Sequence, residues 1–142
     1  MKRLLLCLFL ATISLHASDI WGTDYPAALT QASSSKKPIL LEFTGSDWCP
    51  PCMKLTKDVF EQPAFEDFAK ENLVLVKLDF PQAKEQPAEL KAANEALSQK
   101  YQVEGFPTLI LLDSTGKEVA RLVGLKLRTP EAFLQWVQDN RK

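Results

Sequence analysis

In Phe43-Thr44-Gly45-Ser46-Asp47-Trp48-Cys49-Pro50-Pro51-Cys52, two cysteines stand two residues apart at the point where one apolar pattern gives way to another. Upstream, Pro38 introduces Ile39-Leu40-Leu41-Glu42-Phe43-Thr44, a nearly continuous apolar run of strand length. Such a run suits a strand covered on both faces of a sheet. Downstream, Met53, Leu55, Val59 and Phe60 recur at helical spacing. Pro50 and Pro51 fit the first turn of a helix, where backbone N–H groups have no intrahelical partner to lose. The cysteines therefore fall at a strand-to-helix junction. Two cysteines so placed can close into a small disulfide ring and open again with little backbone movement. The helix dipole and its free N–H groups would be directed at the Cys49 sulfur and favour its thiolate, whereas Cys52 lies one turn in and is expected to be shielded. Cys49 is thus the expected attacking thiol, and Cys52 the one that resolves a mixed disulfide.

Working outward, residues 18–37 read as a short first helix followed by a polar loop. Pro63 ends or restarts the helix that follows the cysteines, and residues 64–71 form another with Phe65 and Phe68 inward. Residues 73–80 read as a second buried strand interrupted by Lys77. Residues 82–100 lack glycine and are rich in Ala, Glu, Lys, Gln and Leu, a helix-favouring composition with Pro87 at the first turn. Thr108-Leu109-Ile110-Leu111-Leu112 is another apolar strand, joined by the turn Asp113-Ser114-Thr115-Gly116 to a strand over 117–123, and the two make a hairpin. Thr129 and Pro130 cap a last helix whose apolar face carries Phe133, Leu134, Trp136 and Val137. Alternating helices and apolar strands imply an α/β fold, a central and partly parallel sheet covered by helices.

The N-terminus reads as a signal peptide: Lys2 and Arg3, an apolar run over 4–15, and a small-residue site at Ala17-Ser18. The run is about a dozen residues where a spanning helix needs roughly 20, so a retained membrane anchor is the weaker reading. Cleavage near Ala17 divides the chain into a signal at 1–17 and one domain at 18–142. It removes Cys7 and His16, the only histidine, and leaves 15 basic against 18 acidic residues, a net charge of −3. With 46% hydrophobic and 25% charged residues the composition is that of a globular domain, and the charge offers no case for nucleic acid as partner. A zinc site needs about four ligands, which Cys49 and Cys52 alone do not supply. Copper(I) held by the two thiolates and a structural disulfide stay open as lesser readings, the latter because so small a ring stabilises little.

Residues 43–52, Val76-Lys77-Leu78-Asp79 and 101–124 together resemble thioredoxin: a strand, Trp-Cys-x-Pro-Cys, a second strand with an internal lysine, and Gly-x-Pro-Thr before a hairpin. The likeness covers most of 38–140, and with the export signal the chain resembles the periplasmic thioredoxin-like disulfide reductases of bacteria, the DsbH type among them. The resemblance implies a thioredoxin fold and a cis Phe106-Pro107 bond beside the disulfide, where the backbone pairs with substrate. Taken alone, Pro107 would be only the first residue of a strand. It also implies that Glu42 relays a proton to Cys52 with Lys77 as its partner, although Glu42 stands one residue farther from the cysteines than the family pattern and is Glu rather than Asp. Read from the residues alone, Glu42 could equally lie at an edge or face solvent. Trp48 is expected to pack beside the disulfide and shape the contact surface, and Asp47 to be a solvated loop residue.

The expected activity is reduction of protein disulfides in the periplasm, with the Cys49-Cys52 pair as the redox centre and no other cofactor. Pro50 and Pro51 offer neither charge nor donor to stabilise a thiolate strongly, which favours a reductant over an oxidant. Alternatives are a dedicated reductant for apocytochrome c thiols, or a non-catalytic thiol- or copper-binding module. Disulfide-containing proteins are the expected substrates and a membrane thiol donor the source of electrons. With no room for a dimerisation domain the chain is expected to act as a monomer, and the long 81–100 segment is where partner specificity is expected.

Overall fold

A computed structural model describes residues 20–141, so the segment expected to be a signal peptide, with Cys7 and His16, lies outside the described residues. The element order is α1 (Tyr25–Ser35), β1 (Ile39–Thr44), α2 (Pro50–Leu55) continued by a π-helical segment (Thr56–Phe60), α3 (Pro63–Asn72), β2 (Val74–Asp79), α4 (Ala88–Lys100), β3 (Thr108–Leu112), β4 (Glu118–Val123) and α5 (Pro130–Asn140). Strand order is β2-β1-β3-β4, with β1 parallel to β2 and both other pairs antiparallel. The sheet is mixed, as the alternation of elements predicts.

All six residues of β1 are buried because the strand is central and helices cover both faces. Its side chains alternate between two apolar layers. Ile39, Leu41 and Phe43 join Tyr25, Ala28 and Ala32 of α1 and Tyr101 after α4; Leu40 joins Leu55, Val59, Phe60, Phe65, Phe133 and Val137 from the helices of the other face. The second layer is dominated by rings, with Phe133 edge-on to Phe60 and Phe65 at 5.6 and 5.3 Å between centroids. Burying one such side chain contributes about 1.5–3 kcal/mol. Glu42 alternates with Leu40 and therefore enters this layer.

Local signals set most boundaries. Asp24 and Thr129 cap α1 and α5 by accepting from the Ala27 and Ala132 N–H groups. Asp113 Oδ1 accepts from the Thr115 and Lys117 N–H groups in the hairpin turn, and Gly116 adopts φ +88°, the left-handed region.

Three features depart from the sequence reading. The helix after the cysteines widens into π geometry, Glu61 N–H bonding to Thr56 O at 2.9 Å, before α3 begins at Pro63. The helix expected over 82–100 begins only at Ala88, with Pro87 at its N-cap, because the amides of 82–84 are held elsewhere. Gly22 forms a parallel bridge to Val76, so the segment before α1 lines the outer edge of β2.

Candidate active site

Cys49 occupies the N-cap of α2 and Cys52 lies one turn in; they are joined by a disulfide with Cα atoms 5.3 Å apart. The position follows from a tight turn in which the Trp48 and Cys49 N–H groups both donate to Gly45 O, at 3.4 and 3.0 Å. Cys52 is wholly buried and Cys49 is 4% exposed. The preceding residue, Trp48, is 38% exposed. Trp48 therefore lies at the surface beside the disulfide rather than in the core. Its indole N–H donates to Phe80 O at 2.7 Å, and its ring stands edge-on to Phe106 at 5.9 Å. Phe106 in turn stacks on Phe80 at 5.0 Å. A Cβ at Gly45 would come within 2.5 Å of the Trp48 ring, so only glycine leaves room for it.

The Phe106-Pro107 peptide bond is cis. Pro107 is buried, its carbonyl accepts from Gly124 N–H at 2.8 Å, and the Trp48–Phe106 contact brings this turn to the cysteine loop.

Glu42 is fully buried in the centre of the sheet, which excludes an edge or solvent-facing position. Neither carboxyl oxygen has a hydrogen-bond partner. Burial pushes its pKa from 4.5 up to about 7, against the opposing pull of the Lys77 charge. Lys77 is its register neighbour on β2, on the same face and half-buried. The two share a face without closing a hydrogen bond.

Asp47 is not merely a solvated loop residue. Its carboxylate accepts from the N–H groups of Gln82, Ala83 and Lys84 at 2.8–2.9 Å, and these bonds hold its pKa below the usual range. Asp79 acts in parallel from the end of β2: its carboxylate accepts from Ser46 N–H and the Ser46 hydroxyl, and its carbonyl from Gln86 and Asn94. The cysteine loop is thus fastened to the β2–α4 connection at two points. Asp47→Ala is expected to loosen the 82–84 turn, whose three amides lose their shared acceptor to water, and to speed hydrogen exchange at 82–84. Amide exchange followed by NMR checks this.

Sequence reasoning missed Asp79, Gln86 and Asn94 as supports of the loop, and Phe80 as part of the aromatic surface. Their partners lie many residues away, so no local spacing betrays them. Among the described residues no group of three or more His, Cys, Asp and Glu side chains is placed to hold a metal ion.

Comparison with known proteins agrees with this geometry. A family model for a thioredoxin-like domain matches residues 25–141. The disulfide bond reductase DsbH of Chlamydia pneumoniae is 39% identical over 111 residues, covering 78% of this chain and 67% of that one. The thioredoxin-related protein DsbJ of the same organism is 33% identical over 105 residues, covering 74% of this chain and 30% of that one. A solved structure of a DsbH oxidoreductase superposes with a TM-score of 0.78 at 34% identity, covering 99% of this chain and 93% of that one. With a buried Cys-x-x-Cys disulfide at a helix start, a cis-proline turn whose Phe106 touches the cysteine loop at Trp48, and a domain match over most of its length, the chain belongs to the thioredoxin-like family.

Proposed function

We propose that this protein is an exported thiol:disulfide oxidoreductase that reduces disulfides of periplasmic proteins. The observation that carries the reading is the Cys49-Cys52 disulfide at the start of α2, with the outer cysteine beside exposed Trp48 and the inner one fully enclosed. In the reduced protein the Cys49 thiolate attacks one sulfur of a substrate disulfide, forming a mixed disulfide and releasing the first substrate thiolate. The Cys52 thiolate then attacks the Cys49 sulfur and releases the second. Two electrons pass to the substrate and the Cys49-Cys52 disulfide remains. Because the envelope is generally oxidising, a membrane-held dithiol must restore the reduced form.

Glu42 suits the proton balance of the second step. A buried carboxyl titrating near 7 can take the Cys52 proton as that thiol becomes nucleophilic and return it in the next cycle. The Lys77 charge keeps the ionised form within reach. Trp48, Phe106 and Pro107 supply the surface on which a substrate segment lies, its backbone pairing along the cis-proline turn, and Phe80 extends that surface.

Pro50 and Pro51 bring no charge or side-chain donor to Cys49, so the couple is expected near the reducing end of the family range of roughly −270 to −120 mV. A redox titration of the pair against glutathione or dithiothreitol tests this. A value near −270 mV supports a reductase, and a value near −120 mV overturns it.

A further inference from the structure

The segment before α1 is tied into the redox site from outside the sheet. Gly22 N–H donates to Leu75 O at 3.0 Å and Lys77 N–H donates to Gly22 O at 2.8 Å, so its backbone is fixed against β2 on both sides of Val76. That pairing sets Trp21 against the ring layer on the Glu42 side of the sheet, 5.1 Å from Phe60 and stacked at 15° and 6.2 Å from Phe65. The Lys77 ammonium stands over the indole, 5.2 Å from its centroid. A lysine on a largely apolar strand would ordinarily extend its head toward bulk water. Here an aromatic face offers the charged form a second attraction, within the distance at which such contacts are effective.

We propose that Trp21 is a positioning residue of the redox site, holding the Lys77 ammonium on its ring face and thereby keeping a positive charge beside Glu42. This rests on the reading of Glu42 as proton acceptor for Cys52. The charged groups around that carboxyl are few. From β2 come Lys77 and Asp79, the one favouring and the other opposing ionisation. From the helix over the site, Lys57 and Glu61 line a cavity together with Thr44 and Lys77. The β3 neighbour is Leu109, which carries no charge. Cys49 and Cys52 do not titrate while joined. Of these groups Lys77 is the one whose charge pulls the Glu42 pKa down, so the place where its ammonium rests governs how readily the carboxyl ionises.

The test follows the carboxyl of ¹³C-labelled Glu42 by NMR titration of the oxidised protein, its signal assigned by its absence in Glu42→Gln. Trp21→Leu frees the lysine and is expected to raise the midpoint by about half a pH unit or more, in the direction expected when an opposite charge is withdrawn. Because Trp21 also packs on Phe60 and Phe65, a second variant places a multiply fluorinated tryptophan at position 21 alone, which weakens the negative ring face with little change of shape. It is expected to raise the midpoint in proportion to fluorination, while Trp21→Phe keeps most of the wild-type value. In a Lys77→Met background, neither change at 21 is expected to move the midpoint further. If fluorination leaves the midpoint unmoved while Lys77→Met raises it, the role of Trp21 is overturned and the Lys77–Glu42 coupling stands. If Lys77→Met itself has no effect, the proposal is overturned at its second link. If Glu42→Gln retains the wild-type pH profile of thiol exchange, the reading of Glu42 as proton acceptor fails, independently of these midpoints.

Discussion

Cys49→Ser is expected to abolish insulin reduction, with turnover falling at least about a thousandfold because the attacking thiolate is gone and serine does not exchange with disulfides. Cys52→Ala should fail differently. Attack by Cys49 still occurs, but no inner thiol resolves the product, so the protein accumulates as a mixed disulfide with its substrate. Non-reducing electrophoresis followed by mass spectrometry distinguishes the outcomes: a covalent adduct through Cys49 in the second variant and none in the first. Cysteine-independent activity in Cys49→Ser would overturn the assignment. Binding of thiol peptides or copper without turnover in the wild type would favour a binding module instead.

The second large effect concerns stability. Glu42 binds its proton more tightly in the folded chain than in the unfolded one, since burial raises its pKa from 4.5 to about 7. Between those values the folded state holds the extra proton, so stability falls as pH rises through this window. The difference corresponds to on the order of 3 kcal/mol of destabilisation once the carboxyl is ionised, at about 1.4 kcal/mol per unit. Glu42→Leu, which removes the buried charge and fits an apolar layer, is expected to recover most of that above pH 8 and little near pH 4. Urea unfolding of the oxidised protein at the two pH values measures it, and an equal gain at both would contradict the account. The same variant should exchange thiols more slowly and lose the pH dependence centred near 7. Stability would thus rise as activity falls.

Most of the architecture was legible because it rests on local rules. The apolar runs over 39–44 and 108–112 are buried strands, Asp24, Thr129 and Gly116 act where their chemistry suits them, and the cysteines fall at the strand-to-helix junction that the change of period implies. The combination of motifs carried the family, with Cys49, Cys52 and Pro107 where the resemblance put them. What escaped depends on contacts between distant segments. Helix-favouring composition over 82–87 is overridden because Asp47, some 35 residues upstream, takes three of its amides, and a carboxylate outcompetes a first helical turn that would leave those donors unpaired. Trp21 has no periodic partner in sequence, yet sheet pairing at Gly22 sets it among rings 39 and 44 positions away.

The double fastening of the cysteine loop bears on how portable this chemistry is. Asp47 and Asp79 give residues 46–49 their shape only in company with residues 79–86, and Trp48 keeps its orientation only with Phe80 and Phe106 beneath it. Grafting residues 43–52 alone onto another sheet would transfer the two cysteines without the aromatic surface beside them. A designer would have to move at least three segments, 43–52, 79–86 and 105–107, together.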